Sequence, residues 1–138
     1  MRLVIDASVA VKWCFQEPGS DAARSLLLRE RAGEIDLVAP DLIGAEVVNA
    51  VWRKFRREQC SAVTALEALS LWAEGRPELM PCAPLESPAL DLALRLGHPA
   101  YDCFYLAAAS QLSAPLATAD VRLAGLARGL GCDVELIG

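Results

Sequence analysis

The sequence predicts a single α/β domain over residues 1–138, in which a parallel sheet of about five strands is flanked by about seven helices. The length of 138 residues fits one domain. A composition of 54% hydrophobic and 22% charged residues provides enough apolar side chains for a substantial core. Short apolar runs alternate with segments of helical periodicity along the whole chain. This alternation is typical of parallel strands that are connected by helices.

The strands are predicted from short runs of β-branched and apolar residues that end at turn-forming residues. The first run, Arg2 to Ile5, stops at Asp6, and Pro40 ends the second. A Gly-Arg-Pro segment at 75–77 precedes the third run. The predicted strands are residues 2–5, 35–39, 78–82, 116–118 and 133–137.

The helices are predicted from apolar residues that recur every three or four positions and from residues that favour helix ends. Ser20 and Asp41 are the expected N-caps of the second and third helices. Ser87 and Pro88 stand in the usual order of cap and proline at the start of the fifth. The predicted helices are residues 7–14, 21–31, 42–57, 61–74, 87–97, 101–112 and 120–128.

Charge and cysteine content narrow the class of protein. A net charge of −5 and a pI of about 4.8 argue against a strongly basic nucleic-acid-binding surface, although clustered active-site acids would also lower the pI. The five cysteines form no C-x-x-C pair, so we expect no disulfide framework and a reducing cytoplasm as the setting. No apolar run is long enough for a signal peptide or a membrane span.

Four acidic residues occupy positions that suggest a shared site. Asp6 directly follows the first predicted strand, and Asp120 follows the fourth. Ligands of open parallel sheets bind beyond the carboxyl ends of the strands, where both residues would lie. Glu46 and Asp102 each interrupt a mainly apolar helical segment. Taken singly, Asp120 could be a helix cap, Glu46 a solvated helix residue and Asp102 a partner of the helix dipole.

Together, the four carboxylates are expected to bind Mg²⁺ or Mn²⁺. Two like charges about 4 Å apart repel by roughly 1 kcal/mol in water and by about 4 kcal/mol at an effective dielectric constant of about 20. A hard cation with oxygen ligands would neutralise this repulsion, and it could activate water against a phosphodiester. His98 is the only histidine, which excludes a two-histidine ribonuclease mechanism. His98 itself is interpreted as a loop residue. No G-x-S-x-G elbow, P-loop or G-x-G-x-x-G motif is present.

Four segments resemble, in chain order, the motifs of VapC-type PIN-domain toxins. They are residues 4–8, 40–50, 97–102 and 118–120, and the resemblance extends over essentially the whole chain. It implies a PIN-like sandwich of a parallel sheet and helices, and a metal-dependent endoribonuclease that is the toxin of a toxin–antitoxin pair. It also implies an RNA substrate, a homodimer, and an antitoxin partner that blocks the site.

By motif match, the resemblance implies that the catalytic metal ligands are Asp6, Glu46, Asp102 and Asp120. Ser8 and Thr118 match positions at which family members place hydroxyl groups beside the metal. Asn49 lies on the same helical face as Glu46 and is expected to support the site. Some family members carry a further acid after the last aspartate, but Val121 and Arg122 follow here. The absence of this acid favours a site for one metal ion.

The basic run Arg53-Lys54-Phe55-Arg56-Arg57 is the only dense cluster of positive charge. It is either a solvated helix end, where cations are favoured, or a surface that guides RNA toward the acids. The RNA-binding candidates are Arg53, Lys54, Arg56 and Arg57.

Three aromatic residues, Trp52, Phe55 and Trp72, are interpreted as core or as packing between helices. A dimer seam or a groove for an antitoxin helix is the alternative for these residues.

Two other functions remain open from the sequence. The first is a catalytically inert PIN-fold module that acts by binding another protein. The second is a phosphoryl-transfer or receiver-like domain, which also ends its first strand in an acid. A dehalogenase-like phosphatase needs a second aspartate at position 8, but this chain has serine there. The only lysines are Lys12 and Lys54, so the late lysine of a receiver is absent.

Overall fold

A five-stranded parallel sheet forms the centre of the computed structural model, which describes all 138 residues. The strands are β1 (Arg2–Ile5), β2 (Asp36–Pro40), β3 (Glu78–Met80), β4 (Leu116–Thr118) and β5 (Val134–Leu136). Their order across the sheet is β3-β2-β1-β4-β5, and every neighbouring pair is parallel. The predicted α/β class and the number of strands are confirmed.

Seven α-helices and one short 3₁₀ helix connect the strands. The α-helices are α1 (Ala7–Cys14), α2 (Ser20–Arg31), α3 (Ile43–Arg56), α4 (Ala62–Gly75), α5 (Glu86–Leu96), α6 (Ala100–Leu112) and α7 (Val121–Gly129). The 3₁₀ helix, Ala83–Leu85, leads directly into α5, so α5 begins at Glu86 and Ser87 is not its cap. None of the helices has the length and apolar character needed to cross a lipid bilayer.

The central strand β1 is the part of the sheet that positions the site. Leu3, Val4 and Ile5 are completely buried, as expected for a strand that is covered by helices on both faces. Ile5 pairs with Ala117 of β4, which brings Asp6 and Thr118, the residues that follow this pair, side by side. After β1 the chain forms β2 on one side of β1, and it later returns to form β4 on the other side. The gap between β1 and β4 is therefore the point at which an open parallel sheet binds ligands.

The core contains one of the three aromatic residues for which burial was predicted. Trp72 of α4 is buried and stacks on Trp13 of α1, with ring centroids 6.4 Å apart. Trp13 also donates its indole N–H to the carbonyl of Ala23 in α2. This stack joins α1, α2 and α4 on one side of the sheet, and the prediction for Trp72 is confirmed.

The other two aromatic residues, Trp52 and Phe55, are exposed to 55% and 46%. The residues of α3 that enter the core are Ile43, Val47 and Val51. Helix α3 therefore has two apolar stripes, and only one of them faces the core. The interpretation of Trp52 and Phe55 as core residues is wrong.

Two predicted N-caps are also wrong. The hydroxyl of Ser20 bonds to the backbone before α2, accepting from Glu17 and donating to Phe15, so Ser20 is the first helical residue. The backbone N–H of Asp41 bonds to the carbonyl of Met80, the last residue of β3. Asp41 and Leu42 form a turn, so α3 begins only at Ile43, and it has no side-chain cap.

Candidate active site

Asp6 lies at the centre of the predicted site, where β1 ends and α1 begins. Its Oδ1 accepts hydrogen bonds from the Ser8 hydroxyl at 2.5 Å and from the Val9 backbone N–H at 3.3 Å. Its Oδ2 accepts from the Thr118 hydroxyl at 2.5 Å. The residue is only 5% exposed. Asp6 therefore caps α1, and the two predicted hydroxyl residues hold both of its carboxylate oxygens.

The protonation of Asp6 is strongly perturbed by its surroundings. Burial raises its pKa to about 6, even though the hydrogen bonds from Ser8, Thr118 and Val9 act in the opposite direction. The negative charge of Asp102 raises the pKa further. An aspartate that is buried beside another acid and has no cation bonded to it is typical of a site built for a function rather than for stability.

Glu46 projects from the first turn of α3 and is half-buried. Its Oε1 accepts a hydrogen bond from the Tyr105 hydroxyl at 2.5 Å. Burial is the main cause that raises the pKa of Glu46, and the charge of Asp102 adds to it, whereas Arg53 lowers it. Glu46 is thus not a freely solvated helix residue, since it is bonded to Tyr105 and lies near Asp102.

Tyr105 is a site residue that the sequence analysis missed. It lies in α6 one turn after Asp102 and is buried. Burial and the charges of Glu46, Asp6 and Asp102 all raise the pKa of its hydroxyl, which keeps the proton that it donates to Glu46. Its spacing of three residues from Asp102 places the two on neighbouring parts of the helix surface. That spacing was the one available sign in the sequence.

Asp102 is held by the only histidine of the chain. His98 lies between α5 and α6, as predicted, but its side chain is buried. Its Nε2 lies 2.6 Å from Oδ2 of Asp102, and its Nδ1 is buried without a hydrogen-bond partner. A carboxylate only accepts hydrogen bonds, so Nε2 carries the proton and donates it to Asp102. The role of His98 is to orient this acid.

Asp120 occupies the outer edge of the site. It caps α7, because Oδ1 accepts from the backbone N–H groups of Arg122 at 2.9 Å and Leu123 at 3.2 Å. Its own N–H donates to the Thr118 hydroxyl, which in turn donates to Asp6. Asp120 is exposed, and it is connected to the other acids only through Thr118.

The structure therefore brings three of the four predicted acids together. Asp6, Glu46 and Asp102 surround Tyr105 closely enough for the charge of each to raise the pKa of its hydroxyl. No three His, Cys, Asp or Glu side chains form a ready set of metal ligands. Each of the three acids is instead bonded to a side chain of the protein. The chemistry of the donors nevertheless fits a hard divalent cation. They are all oxygens, and a cation would relieve the repulsion among them.

An open cleft of about 900 Å³ leads away from these acids. Ser8, Glu46 and Asn49 line one part of it, so Asn49 shares the cleft with Glu46 as predicted from their spacing. The cationic lining comes from α1 and α3 and consists of Lys12, Arg53, Lys54 and Arg57. Arg56 is not part of this lining and borders a separate depression at the end of α3.

Comparisons with known proteins agree with this architecture. Residues 3–129 match the family model of the PIN domain. The chain is 33% identical over 137 residues to Ribonuclease VapC1 of Mycobacterium tuberculosis, covering 97% of this chain and 96% of that protein. It is 30% identical over 121 residues to Ribonuclease VapC9 of the same species, covering 88% and 87%.

A solved structure shares the fold. The crystal structure of PAE2754 from Pyrobaculum aerophilum aligns with a TM-score of 0.71 at 19% identity, over 97% of this chain and 83% of that chain. An acidic cluster at the switch point of a five-stranded parallel sheet defines an α/β protein with a site at the carboxyl ends of its strands. The chain belongs to the PIN-domain family. Within that family its relatives include the VapC ribonucleases, which confirms the resemblance found in the sequence.

Proposed function

We propose that this protein is a divalent-metal-dependent endoribonuclease and the toxin of a toxin–antitoxin pair. The observation that carries the proposal is the cluster of Asp6, Glu46 and Asp102, which lies beside an open, cation-lined cleft. Relatives of this chain along nearly its whole length are named ribonucleases. Acidic side chains beside a cleft that can admit a phosphodiester support the same activity in this protein.

The ion, Mg²⁺ or Mn²⁺, would be held by Asp6, Glu46 and Asp102, with Asp120 as the outermost acid. When bound, it supplies an activated water and stabilises the negative charge that develops on the phosphodiester. The protein contributes the orientation of each acid. The hydroxyls of Ser8 and Thr118 hold Asp6, and Tyr105 and His98 hold Glu46 and Asp102. Donors of this kind normally fix the geometry of metal ligands.

The inert binding module explains the same site less well. Three inward-facing acids repel one another, and burial opposes the ionisation of Asp6 and Glu46. A module that only binds protein gains nothing from this arrangement. A dehalogenase-like phosphatase is disfavoured by Ser8, whose hydroxyl bonds to Asp6 at the position where a second aspartate would be needed. A receiver-like domain is disfavoured because no lysine follows Lys54.

The test of the proposal is cleavage of total RNA by the purified protein with Mn²⁺ and with EDTA. We expect discrete fragments with Mn²⁺ and intact RNA with EDTA, because the acids cannot act without the cation. Calorimetric titration of the metal-free protein with MnCl₂ should show binding. A folded, antitoxin-free protein that neither binds Mn²⁺ nor cuts RNA would favour the inert binding module.

The antitoxin contact is proposed for an apolar groove between α3 and α4. Trp52 and Phe55, together with Leu66 at 69% exposure, are among its lining residues, all of which are apolar. Soluble proteins rarely expose large apolar patches unless a partner covers them. An amphipathic helix is the usual occupant of such a groove. The homodimer implied by the family stays a prediction.

Placing a charge in this groove should separate inhibition from catalysis. Leu66→Glu should still cut RNA but should no longer be inhibited by rising concentrations of the cognate antitoxin, because a carboxylate would be buried in the complex. Leu28→Glu on α2, where the leucine is 63% exposed outside the groove, is the matched control and should be inhibited like the wild type. Normal inhibition of Leu66→Glu would place the antitoxin elsewhere.

A further inference from the structure

One side of α3 forms a continuous wall of the cleft. Glu46, Asn49, Arg53 and Arg57 follow one another at intervals of three or four residues, and all of them line the cleft. With a rise of about 1.5 Å per residue, Arg53 lies about 10 Å and Arg57 about 16 Å along the helix axis from Glu46. The acidic site is therefore at one end of this wall, and the two arginines follow at distances of about two and about three helical turns.

The positive charges along this wall differ in whether they already form ion pairs with acidic residues of the protein. Lys12 and Lys54 both form ion pairs with Glu17, at 3.3 and 3.0 Å, and Lys54 also lies over the ring of Phe15. Arg53 and Arg57 are exposed, and neither forms an ion pair. On a chain with a net charge of −5, two uncompensated arginines in one cleft attract anions locally.

A large aromatic side chain completes the cleft next to the acids. Tyr101 lines it from α6, directly before Asp102, and is 70% exposed. It takes no part in the core, so packing does not explain its position. Exposed aromatic rings beside a cationic groove are the usual stacking platforms for bases of single-stranded nucleic acids.

We propose that this cleft is a track for single-stranded RNA, in which Arg53 and Arg57 bind backbone phosphates and Tyr101 stacks on a base beside the acidic site. The inference rests on the proposed ribonuclease function and adds the residues outside the acidic site that hold its substrate. The strand runs along α3 from Glu46 toward Arg57. A paired base cannot leave its stack to reach Tyr101 without a loss of free energy, so the track favours unpaired segments.

The arginines are tested by binding of an end-labelled oligouridylate in EDTA, measured by fluorescence anisotropy from about 50 to about 200 mM salt. Each phosphate contact in a single strand contributes about 0.7 to the slope of log affinity against log salt. The double variant Arg53→Ala/Arg57→Ala should therefore bind more weakly, with a slope shallower by about 1.4. The matched control is Arg56→Ala, which removes the same charge from the same helix but outside the cleft. Its slope should stay at the wild-type value.

The stacking residue is tested in the same assay with two variants. Tyr101→Ala should lower the affinity by about fivefold to 150-fold with an unchanged salt slope, because stacking of one base is worth roughly 1–3 kcal/mol. Tyr101→Phe keeps the ring and should bind like the wild type. A self-complementary duplex of the same length should bind without sensitivity to Tyr101.

Three results would overturn the track: no binding of the oligouridylate by the wild type, equal salt slopes for the arginine double variant and Arg56→Ala, or full affinity in Tyr101→Ala. Cleavage of the same RNA with Mn²⁺ separates this inference from the proposed function. A wild type that binds through these residues but never cuts leaves the track in place and refutes the nuclease. A wild type that cuts while the variants bind normally refutes only the track.

Discussion

Replacing Asp6 with asparagine should reduce metal-dependent RNA cleavage by more than about a hundredfold. Loss of a residue that only supports a metal ligand typically weakens metal binding or activity by about 10- to 100-fold, so loss of the central acid itself should exceed that range. Asparagine has nearly the same shape and can still bond to Ser8 and Thr118. The charge at the end of β1 would be removed while the strand and α1 keep their positions. The measurement is the initial rate of cleavage with Mn²⁺.

The matched control for this variant is Asp36→Asn. Asp36 is exposed at the start of β2, so it lies at the opposite end of the sheet from Asp6. It loses the same charge and should cut RNA at the wild-type rate. If Asp6→Asn kept a tenth or more of the wild-type rate, Asp6 would not be part of the catalytic site.

The same substitution should stabilise the metal-free protein at neutral pH. In the folded chain the pKa of Asp6 is raised from 3.8 to about 6 by burial. Between these two values the folded state keeps a proton that the unfolded state has lost. The free energy of unfolding therefore falls as pH rises through this window, by up to about 3 kcal/mol in total. Asparagine cannot ionise, so the variant escapes this loss.

This second effect is measured by urea unfolding in EDTA near pH 4 and near pH 7.5. Asp6→Asn should be more stable than the wild type by up to about 3 kcal/mol at the higher pH and should have no such advantage at the lower. Asp36→Asn should follow the wild type at both. Equal stabilities of wild type and Asp6→Asn near pH 7.5 would show that the fold does not oppose ionisation of this acid.

If both results are obtained, Asp6 is a carboxylate whose ionisation destabilises the metal-free fold, as expected of a ligand in the proposed metal site. A ligand that binds only the folded state stabilises it. Addition of Mn²⁺ should therefore recover stability in the wild type but not in Asp6→Asn. The experiment connects the raised pKa of Asp6 to the proposed metal site without any RNA.

Some parts of the fold were predictable because their causes are local. Residues 2–5 and 116–118 were predicted as strands with their observed bounds, since a strand buried on both faces consists almost entirely of apolar residues. The cap of α7 at Asp120 was likewise a property of neighbouring residues. The caps at Ser20 and Asp41 failed because contacts from outside each helix engaged their hydroxyl or backbone groups first.

Helix α3 shows where local patterns reach their limit. Its sequence has apolar residues on more than one side, so periodicity alone cannot identify the side that faces the core. Packing against α1 and α4 buried the stripe of Ile43, Val47 and Val51 and left Trp52 and Phe55 outside. The proposed antitoxin groove is lined by the stripe of α3 that this packing left exposed.

The sequence by itself determined the alternation of strands and helices, and with it the placement of Asp6 and Asp120 after the first and fourth strands. That these two strands are neighbours was decided by the tertiary structure. The ligand roles of the acids remain predictions. Only the tertiary structure decided which acids meet and which donors hold them. Tyr105 lies 59 residues from Glu46, and Thr118 lies 112 residues from Asp6. Contacts over such separations depend on how the chain packs, because no local rule of spacing relates the two partners.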